Sequence, residues 1–234
     1  GSLTVMEGLK TSGYVLINQD AKLGGPVKVS GKLDVRNNLY IIDTGKISGK
    51  LSVDGDIVSG EILKVSGKLN AKSVKSSGLV KSSGTVTIEE GLIAEKFVSS
   101  GGRSLIGGNV ECKSIEIAQR FRERTDREYT DIEDDEDFEG LQDIGRFVTN
   151  LVGRIVPKII NMSYNDSFGR PPKIFEIEGN LEASIADISY THLKGDLIAD
   201  ELILGPEVTV DGRIIYKTSI EVPEDSEFNV EKVE

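Results

Sequence analysis

Tryptophan is absent from the chain, and cysteine and histidine occur once each, as Cys112 and His192. A single cysteine excludes an internal disulfide and reads as a core thiol in a reducing compartment. One cysteine with one histidine leaves no zinc ligand set. A Ser-His-Asp arrangement would have to centre on His192, but that residue holds the outward parity of its strand and reads as a surface side chain. None of the 26 glycines forms a phosphate loop leading into a helix. An EF-hand loop beginning at Asp131 needs glycine at its sixth position, where Glu136 stands. No metal, cofactor or catalytic centre is therefore expected. No run of about eighteen apolar residues exists, which excludes a transmembrane segment, and no charged-then-apolar leader opens the sequence, so a cytoplasmic location is expected.

What the sequence has in quantity is repetition. Val29-Ser-Gly31-Lys-Leu33-Asp-Val35 returns as Ile47-Ser-Gly49-Lys-Leu51-Ser-Val53 and as Val65-Ser-Gly67-Lys-Leu69-Asn-Ala71, eighteen residues apart. A unit this short cannot close a core alone, so it must bury its apolar side against the copies above and below. Within each copy the apolar residues fall two apart, the period of a strand. The template recurs around Gly84, Gly108, Gly179, Gly195 and Gly212. The step from Gly84 to Gly108 is six residues too long and reads as a wider coil or a surface loop. The pattern predicts an all-β fold, a right-handed parallel β-helix of triangular cross-section with about 18 residues per coil. Right-handedness follows from the default for parallel crossovers and from Ser59 and Ser77, which interrupt the six-residue apolar series that a left-handed hexapeptide helix needs.

Residues 1–25 are an N-terminal cap or irregular first coil, 26–118 the first part of the β-helix, 119–173 a charged and helical insertion, 174–222 the second part of the β-helix, and 223–234 an acidic tail. Within the insertion, Phe138, Leu141, Ile144, Val148, Leu151 and Ile155 recur at three and four, the period of an amphipathic α-helix that Pro157 ends. Its apolar face is expected to pack on the solenoid or on a second subunit, with peripheral membrane contact as the other use of such a face.

Charge is unevenly divided. Residues 1–118 carry 15 Lys and Arg against 12 Asp and Glu, while residues 119–234 carry 13 against 27. In the basic half, Lys28, Lys32, Lys46, Lys50, Lys64, Lys68 and Lys81 fall at outward positions that the repeat stacks into a candidate interaction stripe. The equivalent later positions are Glu176, Asn180, His192 and Asp196. Stacking front on back, or laying filaments side by side, would bring opposite signs together.

Gly195-Asp-Leu-Ile-Ala199-Asp-Glu-Leu202-Ile-Leu204-Gly205 resembles the repeat of the bactofilins, polymer-forming cytoskeletal proteins. Gly67-Lys-Leu-Asn-Ala71-Lys-Ser-Val74, Gly108-Asn-Val-Glu-Cys112-Lys-Ser-Ile115 and Gly179-Asn-Leu-Glu-Ala183 are similar. The resemblance implies a non-enzymatic scaffold that assembles with itself end to end without nucleotide. The insertion at 119–173 departs from that family's pattern. Alternatives are a β-helix adaptor that binds a protein or an anionic surface without polymerising, as the solenoid of the septum-site inhibitor does, and, more distantly, a hexapeptide-type acyltransferase. No nucleic-acid partner is expected.

Overall fold

The computed structural model describes residues 1–101, 103–118, 173–223 and 228–233. All regular structure among them is β, in one sheet of parallel strands wound into about ten coils. Each coil has three sides. The first coil shows the plan: Leu3–Val5 on side one, Leu9–Thr11 on side two and Tyr14–Ile17 on side three. The next coil lays Ala21–Leu23, Val27–Val29 and Lys32–Val35 over them in parallel register.

In the interior coils each side points two residues inward, as in Ala21–Leu23, Val27–Val29 and Leu39–Ile41, so the core is six mainly apolar columns, two per side. Side one stacks Ala21, Leu39, Ile57, Val74, Leu92, Val110, Leu181, Leu197 and Ile214, all buried. Phe97 on side two meets Phe175 on side three edge to face, with ring centroids 6.0 Å apart. The residue beneath Phe175 in its column is Ser104, buried, whose Oγ accepts the backbone N–H of Val86 at 3.0 Å. Ser59 and Ser76 are likewise buried and stacked in register. Ser59 thus takes an inward place, so the six-residue series has no break there and cannot serve as an argument about handedness. The inward counterpart in the next coil is Ser76 and not Ser77, because that coil is one residue shorter.

The glycine template occupies two corners. In the early coils, a Cβ on Gly31, Gly49, Gly67 or Gly84 would run into the backbone carbonyl of Gly13, Gly31, Gly49 or Gly67 in the coil below. Glycine is required there for close approach. Left-handed φ among the described non-glycine residues occurs only at Tyr190 and Glu207, 51° and 55°, so the corners at Asn37, Asn38, Asp43 and Asp54 do not use the positive φ that their residue types allow. In the later coils Gly179, Gly195 and Gly212 stack at the next corner, between sides three and one. The long step from Gly84 to Gly108 is therefore one coil plus one side: the motif shifts by a corner, and no wider coil intervenes.

That same corner carries a second ladder. The side-chain oxygen of Asp20 accepts the N–H of Asn38 at 3.0 Å, and that of Asn38 accepts the N–H of Asp56 at 3.0 Å. Further along, Asn109 accepts from Asn180, Asn180 from Asp196 and Asp196 from Arg213, each at 2.9 Å. Each short side chain thus supplies an acceptor to the coil above, where the turning backbone has no ladder partner.

Three boundaries differ from the sequence reading. Residues 1–25 form a regular coil and not a cap, because Leu3, Val5, Leu9 and Val15 continue the inward series and pack against the core. The two expected β-helix parts are one stack: Val110–Ile117 pairs directly with Leu181–Ile188, and Ser104–Ile106 with Phe175–Ile177. The insertion accordingly departs from a single corner, between sides two and three. The expected acidic tail includes a last strand, Val230–Lys232, paired with Ile214–Tyr216, while Phe228 packs on the core. The expected helix and its face, Phe138, Leu141, Ile144, Val148, Leu151 and Ile155, lie outside the described residues.

Candidate interaction surface

The lysine stripe resolves into two columns. On side two the residue midway between the inward pair points out. Strand register stacks Lys10, Lys28, Lys46, Lys64 and Lys81 there, one per coil. Lys10, Lys28, Lys46 and Lys64 are exposed, and none has a carboxylate within ion-pair distance among the described residues. Like charges about 5 Å apart repel by some tenths of a kcal/mol each, so the run from Lys10 to Lys64 opposes folding slightly. Lys32, Lys50 and Lys68 stand elsewhere, at the corner leading into side three. Lys32 is engaged: it pairs with Asp34 and lies over the Tyr14 ring, 4.8 Å from its centroid, while Tyr14 donates to Asp34 at 3.0 Å. The bond to Asp34 raises both the Lys32 ammonium and the Tyr14 hydroxyl above their ordinary values.

The side-two column does not end at Lys81. It continues through Val98, Glu116, Asp187, Ile203 and Glu221. One face therefore runs from five lysines at its first half to three carboxylates in its second. Asp187 is half-buried, and its carboxyl is pushed up to about 6, first by burial and then by Glu116 and Glu221. Beside this column runs a strip of small residues, Ser30, Ser48, Ser66, Ser83, Ser100, Ala118 and Ser189, each bonded through its N–H to the preceding coil. The stripe read from the sequence omitted Lys10 and all three carboxylates. Lys10 precedes the recognisable repeat, and the carboxylates align with the lysines only through register across the insertion.

The chain matches no protein-family model, no curated protein and no solved structure.

Two other features bear on chemistry. His192 is half-buried on side three, with Nε2 3.0 Å from Asp211 Oδ2, and stacks between Glu176 and Thr209. A groove of about 460 Å³ runs along the corner between sides one and two, floored by Ala94, Cys112, Ala183 and Ala199. Its rim holds two ion pairs, Lys113 to Glu95 at 2.7 Å and Lys217 to Asp200 at 2.9 Å. Burial pushes the Cys112 thiol up to about 12, which removes the thiolate a nucleophile or metal ligand needs. Among the described residues no group of three or more His, Cys, Asp or Glu is placed to hold a metal ion, and no helix is long and apolar enough to cross a membrane.

Proposed function

We propose that the chain is a non-enzymatic scaffold that assembles with itself end to end, without nucleotide, as the bactofilins it resembles do. The observation that carries this reading is the parallel register, in which each coil presents to the next the same ladder edge over the same inward columns. Among the described residues the strands of the first coil pair with the second coil, and Val230–Lys232 pairs with Ile214–Tyr216. Coils of this kind template the addition of another coil, and the first and last described coils carry partly buried apolar residues, Leu3, Val5, Leu9 and Val15 in the first and Val208, Val210, Ile220 and Phe228 in the last. A contact between two different ends does not close on itself, so it propagates as a filament.

The lysine column favours a second reading, an adaptor whose side-two face takes an anionic partner at the cytoplasmic side of the cell without polymerising. Sedimentation velocity of the full chain, across concentration and from low to moderate salt, separates the two. The scaffold gives species that grow with concentration. A monomer at every concentration and salt leaves the adaptor.

A further inference from the structure

The order of charges along side two goes beyond end-to-end assembly. The outward column reads, coil by coil, Lys10, Lys28, Lys46, Lys64, Lys81, Val98, Glu116, Asp187, Ile203, Glu221. Two such faces laid together with axes parallel set lysine on lysine and carboxylate on carboxylate. Turned antiparallel about a two-fold axis along the strand direction, they set one half of the column against the other. That rotation keeps each column opposite itself, so the small strip of Ser48, Ser66, Ser83 and Ser100 also meets its own kind and permits close approach of two sheets, about 10 Å apart.

We propose that two copies of this chain pair face to face through side two, antiparallel, about a two-fold axis passing at Val98. Lys28, Lys64 and Lys81 of each copy then oppose Glu221, Asp187 and Glu116 of the other, and Val98 meets Val98. The same axis sets Ile62, 36% exposed, against Ile185, 39% exposed, in the neighbouring column. A shift by one coil keeps three charge pairs per copy and merely exchanges Lys46 for Lys28 opposite Ile203, but it sets Lys81 against Val98 and separates the two isoleucines. At Val98 the repulsive contact is Lys96 with its own counterpart, at the edge of the face beside Glu95. The crowding of Asp187 by Glu116 and Glu221 is relieved when Lys64 faces it. The nine coils that overlap, at roughly 4.8 Å each and with a face about 12 Å wide, cover roughly 500 Å² per copy, which places the pair among weak, small interfaces. A contact of that size is weak alone and additive along a filament, where neighbouring copies pair together.

The pairing is isologous and closes at two, so it is separable from end-to-end growth. The test is sedimentation of the full chain with Val5→Lys and Val15→Lys introduced to block the first coil's rim. In that background Lys64→Glu or Asp187→Lys alone should weaken the dimer about tenfold, and the two together should restore it, because each copy then presents the swapped pair. In a Cys112→Ala chain, Val98→Cys should cross-link between copies with a short bismaleimide, whereas Lys28→Cys should not. The inference is overturned if the double variant is weaker than either single one, if Val98→Cys does not cross-link, or if the rim-blocked chain is monomeric at every concentration while the unblocked chain still forms filaments. Filaments failing while dimers persist would count against the end-to-end reading alone.

Discussion

Asp187 stacks directly on Glu116, its register partner in the adjacent coil, although the insertion separates them in sequence. Burial first, and then the carboxylates of Glu116 and Glu221, push the Asp187 carboxyl up to about 6. Their position, at the acidic end of a column that begins with five lysines, ties the local electrostatics to the assembly.

The first prediction concerns pH. Asp187 ionises near 3.8 when unfolded and near 6 when folded. Protonation therefore favours the folded state, and stability falls as pH rises through that window. The loss is about 2 kcal/mol once partial exposure is allowed for. Asp187→Asn should raise the melting temperature at pH 7 and flatten the pH dependence between 4 and 6, measured at high salt, where pairing is screened. An unchanged profile would show that the carboxyl is fully solvated.

The second prediction separates glycine for close approach from glycine for flexibility. Gly49→Ala drives a methyl group into the Gly31 carbonyl, whereas the same change at Gly13, which has open space around it, meets nothing. Gly49→Ala should lower unfolding stability by about 3 kcal/mol and Gly13→Ala by less than about 0.5 kcal/mol, read from denaturant midpoints. Equal effects would contradict the corner ladder.

A third prediction follows from the Asx ladder. Asn180→Ala removes the acceptor for the Asp196 N–H. Since that corner is exposed and water can replace the bond, the loss should be about 1 kcal/mol, with amide exchange at Asp196 accelerated.

The repeat itself was legible because each apolar residue faces the same direction in every coil, so Leu33, Leu51 and Leu69 repeat in sequence as they stack in space. Other relations were hidden for physical reasons. Coil length shifts among 16, 17 and 18 residues, seen where Leu181 meets Leu197, Ile57 meets Val74 and Leu33 meets Leu51. A fixed spacing therefore mistook Ser77 for the inward residue and lost the alignment of Lys81 with Glu116 and Asp187. The motif around Gly108 looks like the motif around Gly84 because both corners demand the same close approach, yet they are different corners. Lys32, Lys50 and Lys68 look equivalent to Lys28, Lys46 and Lys64 in sequence, but a corner lies between the two sets.

A fourth prediction uses the single thiol. Buried in the core-facing column between Ala94 and Ala183, with its ionisation pushed to about 12, Cys112 should react with thiol reagents only on unfolding. Cys112→Ala should fold and assemble like the parent, and fast labelling of the native chain would show that the groove opens.

The most direct test of the scaffold reading is electron microscopy and fibre diffraction of the full chain beside the Val5→Lys, Val15→Lys variant. End-to-end stacking predicts unbranched filaments with a strong reflection near 4.8 Å from coil spacing and an axial subunit repeat of roughly 50 Å, from about ten stacked coils. The rim variant should keep its fold and form no filaments. Filaments that persist in the rim variant, or a parent chain that forms none at any salt or concentration, would contradict it.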